Sequence, residues 1–155
     1  MGLDQYLIAK KYVGGYSFCE EKETYDKIIS LMGFTDGEIQ KHSPSLNVSV
    51  TVGYWRKDNH IHNWFVKNCQ DGVDECQISY VSHEKLVELK ETCQKVLKDK
   101  SKAEELLPTK SGFFFGGTEY DEYYFNSLEE TIRLLDSILN NKKFNDWSFY
   151  YQASW

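Results

Sequence analysis

The chain has 155 residues, 41% of them hydrophobic and 15% aromatic, and its 24 acidic and 18 basic side chains leave a net charge of −6. That length suits one domain with its own core, and the richness in large hydrophobes excludes a disordered protein. The acidic balance excludes a broad nucleic-acid face, which needs an excess of Lys and Arg, but leaves room for a local basic pocket.

An opening strand is predicted over residues 3–13, carried by Leu3, Tyr6, Ile8, Tyr12 and Val13 and closed by Gly14-Gly15. From Glu20 to Met32, Tyr25, Ile28, Ile29 and Met32 recur at helical spacing, acids occupy the first turn, and Gly33 is a stop. Residues 35–45 hold turn formers, among them Asp36-Gly37 and Ser43-Pro44. Residues 46–52 alternate with period two and are β-branched, which predicts a strand that Gly53 breaks. Ile61, Trp64, Phe65 and Val66 then predict a helix from Lys57 to Asn68, and Gln77 to Val81 a short strand.

Ser82 is placed to cap a helix bearing Leu86, Leu89, Cys93, Val96 and Leu97. Ala103 to Leu107 make one short turn ended by Pro108, and glycine-bounded residues 112–117 predict a buried strand. Thr118 with Asp121, and Ser127 with Glu130, have capping-box spacing; the second pair introduces a helix with Leu128, Ile132, Leu135 and Leu139 on one face. Trp147 to Tyr151 form an aromatic closing strand. The alternation of strands and helices resembles a parallel βαβ protein, but these strands are short, amphipathic and aromatic, unlike the Val/Ile runs of parallel sheets. The expected fold is therefore α+β: one small domain over 1–155, a mixed or mainly antiparallel sheet, and helices packed on one side.

The segment from Gly53 to Phe65 concentrates rings, cations and amides: Tyr54, Trp55, Arg56, Lys57, Asn59, His60, His62, Asn63 and Trp64. On a strand-to-helix turn, Arg56, Lys57 and Asn59 suit a phosphate or carboxylate at a helix start, with Tyr54 or Trp55 stacking on a base. The plainer alternative is that both tryptophans are core and the polar residues cap and solvate the helix. His60-x-His62 lacks zinc-type pairing, and two residues apart on a helix point in different directions, so no metal is expected. Gln70, Asp71, Asp74 and Glu75 lack the calcium-loop pattern and fit a solvated acidic turn. The stretch from Gly112 to Tyr124 lacks any phosphate-loop spacing. Within it Glu119, Tyr120 and Asp121 are candidates: Tyr120 to stack on a base, the carboxylates to act with His62 as acid and base or to accept from a ribose or Arg56. Asp121 serves equally as a helix cap. No nucleophile signature supports catalysis, and no cofactor is expected. Trp155 at the terminus implies docking, into the core or against a second subunit.

Asp4 and the lack of an apolar leader argue against a signal peptide, no stretch approaches a membrane span, and Gly2 lacks the Ser or Thr that myristoylation wants at position 6. Cys19, Cys69, Cys76 and Cys93 form no CxxC pair, which suits reduced thiols in an intracellular protein.

Four stretches together resemble a family of small proteins of bacteriophages and prophages. They are Gly2-Leu3-Asp4-x-Tyr6-Leu7; Tyr54-Trp55-Arg56-Lys57-x-Asn59-x-Ile61-His62-x-Trp64-Phe65-Val66; Ser111-Gly112-Phe113-Phe114-Phe115-Gly116-x-Thr118-Glu119-Tyr120-Asp121-Glu122-Tyr123-Tyr124; and Phe149-Tyr150-Tyr151-Gln152-x-Ser154-Trp155. The resemblance implies a phage accessory protein in the cytoplasm of an infected bacterium. In that context the expected function is interference with host defence by sequestering a nucleotide-derived small molecule. Tyr54, Trp55 or Tyr120 would stack on the base, Arg56 and Lys57 meet phosphate, and Asn59, His62 and Asp121 read base or ribose. A second expectation is a protein inhibitor of a host effector, anchored by Tyr123, Tyr124 or Tyr150. A third is a small nucleotide-processing enzyme using His62 with Glu119 or Asp121. Self-association would deepen such a pocket.

Overall fold

The computed structural model describes residues 2–42 and 44–155, so the expected Ser43-Pro44 turn lies partly outside the described residues. Strands β1 (Asp4–Val13), β2 (Leu46–Arg56), β3 (Ser79–Val81) and β4 (Ser148–Ser154) form one sheet in the order β2-β1-β4-β3. The sheet is antiparallel, with Tyr80 opposite Tyr150 in the β3–β4 pair. Six helices accompany it: α1 (Lys22–Leu31), α2 (Asp36–His42), α3 (Asn59–Cys69), α4 (His83–Lys98), α5 (Ala103–Leu106) and α6 (Glu122–Leu139). The α+β class expected from short aromatic strands is the class observed.

The chain falls into two compact units. In the larger, the residues up to Ala9 with Thr51–Trp155, burial alternates along the strands. Gln5, Leu7 and Ala9 of β1 and Phe149, Tyr151 and Ala153 of β4 are buried, while their neighbours are half-exposed or exposed. One sheet face is therefore covered, and α3, α4 and α6 cover it, contributing Phe65, Leu89 and Leu135 among others to a continuous apolar core. Phe65 lies flat on Tyr151, ring centroids 4.0 Å apart. On the opposite face Tyr150 packs against Tyr80, and Tyr6 against Tyr54. The smaller unit, Lys10–Val50, holds α1 and α2 around Val13, Tyr25 and Ile29, with the Tyr25 hydroxyl donating to the Pro44 carbonyl at 2.6 Å.

Four expectations change. The turn over 35–45 is largely helix α2, because Thr35 and Glu38 form a capping box: the Thr35 amide donates to Glu38 Oε2 at 2.9 Å and the Glu38 amide to Thr35 Oγ1 at 3.4 Å. Gly53 does not end β2, which runs to Arg56. A Cβ at Gly53 would stand 2.8 Å from Leu134 Cδ2 and 3.1 Å from Leu7 Cβ, so this glycine marks close approach of α6 to the sheet. Residues 112–117 form a turn, closed by the Phe115 amide donating to the Gly112 carbonyl at 3.2 Å. Of its three phenylalanines only Phe115 is buried. Finally, α6 starts at Glu122 with Asp121 as its cap, the Tyr124 amide donating to Asp121 Oδ1 at 3.1 Å, and Ser127 lies buried inside the helix.

Candidate functional site

Helix α3 is central rather than amphipathic: every residue from Asn59 to Val66 is buried. Its polar members survive there because each is hydrogen-bonded. The Asn59 amide donates to the carbonyls of Phe115 at 3.1 Å and Gly117 at 2.7 Å and accepts from the Lys110 amide at 2.9 Å. Asn59 therefore holds the 110–117 loop in place, and it also lines the cavity that the loop encloses. His60 meets the Ser127 hydroxyl at 2.7 Å, and burial pushes its pKa down to about 3, so it is neutral. Asn63 donates to the Pro108 carbonyl at 3.1 Å.

His62 belongs to a directional chain of bonds. Gln5 Nε2 donates to the Asp58 carbonyl at 3.2 Å, which turns Gln5 Oε1 toward the Tyr151 hydroxyl at 3.1 Å. Tyr151 donates there, and its oxygen lies 2.8 Å from His62 Nδ1. His62 Nε2 then faces Asp74 Oδ2 at 3.0 Å, while the Trp155 indole donates to Asp74 Oδ1 at 3.1 Å. Burial pulls the His62 pKa down against the pull of Asp74. His62 is wholly buried, with its ring nitrogens on Tyr151 and Asp74 rather than on Glu119 or Asp121. Trp155 docks through its indole N–H and stays half-exposed, at the rim rather than in the core.

What the Asn59-held loop creates is a cavity of 350 Å³ lined by Lys57, Glu119, Asp121 and Tyr123, with the Gly116-Gly117 backbone and buried Tyr124. The volume falls within the range of small-ligand pockets, about 300–1,000 Å³. Two of its supports are conformationally strained. Lys57 has φ 62° and Phe114 φ 65°, both left-handed, and Gly116 at φ 93° sits so close that a Cβ there would lie 3.0 Å from the Lys57 carbonyl oxygen. Lys57→Gly is expected to raise stability by about 0.5–1 kcal/mol, roughly 2–3 °C in Tm, by relieving the left-handed strain; a lower Tm would mean that Lys57 is not strained. Tyr120 packs its ring edge-on against Tyr124 and places its hydroxyl 3.4 Å from the Thr109 amide, so it supports the wall.

Tyr123 separates this cavity from a second, a groove of 510 Å³ between β2 and α6 that Tyr54, Arg56, Asp58, Glu130 and Leu134 help to line. Its hydroxyl donates to the Arg56 carbonyl at 2.9 Å. Tyr54 donates to Asp4, and Arg56 Nε lies 3.9 Å from the same carboxylate. Trp55, expected as a stacking platform, is a core residue: its indole N–H donates to Thr131 Oγ1 at 2.8 Å. Arg56 and Lys57, adjacent in sequence, line different cavities and do not form one phosphate clamp. Sequence reasoning passed over Asp58. It occupies the N-cap position of α3 yet caps nothing, it is only 6% exposed, and its Oδ1 has no hydrogen-bond partner among the described residues. Burial, reinforced by Glu130 and opposed by hydrogen bonds from Ser127, the Arg56 backbone and Tyr123, pushes its pKa up to about 6. An aspartate directly before a helix signals a cap; nothing in the sequence shows that the carboxyl turns away from it.

No protein-family model, curated protein or solved structure matches the chain. Among the described residues no group of three or more His, Cys, Asp and Glu is arranged to hold a metal ion, and no helix is long and apolar enough to cross a membrane. The cavity offers one ammonium, two carboxylates, exposed backbone and a tyrosine ring. That set suits a small ligand with hydroxyls for the carboxylates, a flat ring for Tyr123, and at most one or two negative charges for Lys57.

Proposed function

We propose that the protein binds and sequesters a nucleotide-derived small molecule in the 350 Å³ cavity, as a phage accessory protein that counteracts host defence inside an infected bacterium. The observation that carries this reading is the convergence of Lys57, Glu119, Asp121 and Tyr123 on one cavity whose wall is held by Asn59. Glu119 and Asp121 accept from ribose hydroxyls, Lys57 neutralises a phosphate, and the Tyr123 ring packs against the base. The cavity takes a mononucleoside-sized group more readily than an extended dinucleotide. Binding of this kind needs no catalytic side chain.

Thermal unfolding against mono-, di- and cyclic nucleotides and ADP-ribose derivatives tests the reading. A ligand at a hundred times its Kd adds about 2.7 kcal/mol, roughly 5–10 °C. The shift should vanish in Lys57→Ala and weaken in Glu119→Gln, persist in Arg56→Ala, and release the ligand chemically unchanged. A shift that survives Lys57→Ala and Glu119→Gln removes this cavity as the site, and an altered ligand makes the protein an enzyme.

A second reading, direct inhibition of a host protein, is favoured by the 112–117 turn. Phe113 is 82% exposed and Phe114 45% exposed on a strained backbone. Exposed aromatics on a fixed turn are typical interface anchors. Tyr124, earlier expected among the anchors, is buried and donates to the Leu107 carbonyl. Capture of a host protein that is lost in Phe113→Ser while nucleotide shifts are absent would replace the first reading by this one.

A further inference from the structure

We propose that the outer edge of β2 is the face through which two copies of this chain associate, their β2 strands pairing antiparallel about a two-fold axis so that two sheets become one. β2 stands at one end of the order β2-β1-β4-β3, so a neighbouring strand takes only one of its edges. The ladder fixes which peptide groups face the other way. The Lys57 amide donates to the Leu3 carbonyl at 2.8 Å, and a Cβ at Gly53 would stand 3.1 Å from Leu7 Cβ. Successive residues of an antiparallel pair turn their N–H and C=O to opposite sides. Residues 53, 55 and 57 therefore bond toward β1, and Val52, Tyr54 and Arg56 point outward. At Arg56 the outward groups are taken by side chains: its carbonyl accepts from the Tyr123 hydroxyl at 2.9 Å, and its amide meets the Asp58 carboxyl. These two side chains close the end of the edge. The outward N–H and C=O of Val52 and Tyr54 have no partner among the described residues and line the open groove beside α6.

The composition of the strand selects the occupant. An exposed edge templates pairing with another strand, and proteins ordinarily blunt it with lysine, proline or a bulge. Residues 46–55 contain no charged residue and no proline, in a chain of which 27% is charged. Val48, Val50, Thr51, Val52 and Tyr54 are of the types that pair best across strands. Set antiparallel to itself, this run meets no like charge, and a two-fold axis satisfies the open groups of both copies with the same bonds. A disordered peptide would have to be ordered residue by residue to fit, whereas a second β2 is already extended, so the same bonds hold it more tightly. The opposite edge of the sheet, β3, is only three residues long and offers far less to pair with.

The test is sedimentation equilibrium of the whole chain from about 1 µM to about 1 mM, with hydrogen exchange of the backbone amides at both ends of that range. A monomer–dimer equilibrium with a Kd at or below about 100 µM is expected. In the dimer the Val52 and Tyr54 amides should gain protection about tenfold or more, while those of Gly53 and Trp55, bonded to β1, are protected at both concentrations. Thr51 is exposed, so Thr51→Lys leaves the core alone and sets like charges beside the axis. Val52→Pro deletes an outward N–H without removing a bond to β1. Each should weaken dimerisation by about tenfold or more, and Tyr80→Lys on β3 should leave it unchanged. A chain that stays monomeric to about 1 mM overturns the proposal. So does a dimer that survives Thr51→Lys, one that is lost in Tyr80→Lys, or one in which Val52 and Tyr54 gain no protection. The groove and the nucleotide cavity share only Tyr123 among their lining residues, so failure here leaves that reading untouched, and the reverse.

Discussion

Asn59→Ala is expected to lower stability by about 3 kcal/mol, roughly 6–12 °C in Tm. The side chain is 1% exposed and serves three backbone groups of one loop: the Lys110 amide and the carbonyls of Phe115 and Gly117. Removing it orphans a donor and two acceptors, and the loop can recover them only by opening to water. Phe115 would then leave the core, and the 350 Å³ cavity would lose its Gly116-Gly117 wall. Asn59→Asp separates hydrogen bonding from packing. It keeps the volume and the acceptor for Lys110 but sets carboxylate oxygens against two carbonyls, so it should be at least as damaging. Thermal melts of both variants, with hydrogen exchange at residues 110–117, read the outcome. A near-native Asn59→Asp would show that shape rather than bond direction holds the loop.

Asp58→Asn should do the opposite and stabilise the protein at pH 7, by about 2–3 kcal/mol or roughly 5–10 °C. Asp58 titrates near 6 in the folded chain against an ordinary value of 3.8. A folded pKa above the unfolded one means that the native state prefers the protonated acid. The stability this provides is complete below the unfolded value and is lost as pH rises through the folded value. At 1.36 kcal/mol per pKa unit the loss is about 3 kcal/mol above pH 6. The variant's advantage should therefore be full at pH 7, shrink between pH 6 and 4, and vanish near pH 4. Tm against pH for the two proteins checks this, and parallel curves would refute it.

The helical and strand periodicities were mostly legible because they are local. The Ser82 cap formed as expected, its hydroxyl accepting from the Lys85 amide at 3.2 Å, and α4 followed with Leu86, Leu89, Cys93 and Val96 buried. The errors at Gly53 and at residues 112–117 share a cause: a glycine or an aromatic run was read by its local preference when a distant partner decided its role. For Gly53 that partner was Leu134, and for the turn it was Asn59. The candidate site was legible in part. Lys57, Asn59, Glu119 and Asp121 do line one cavity, Asn59 while also holding its loop, but His62 and Trp55, which have the chemistry of ligand contacts, are engaged in the interior.

By itself the amino-acid order determined the α+β class, four of the five expected strands and most helices. These follow from periodicity, capping and charge, which act within a few turns of the chain. Tertiary structure alone decided which polar side chains face a cavity and which face one another. The reason is that a buried Asn or His must find a partner wherever the fold supplies one, and its sequence neighbours do not record where that is. The same holds for Asp58, whose carboxyl is buried beside Ser127, Tyr123 and Glu130, residues distant in the chain.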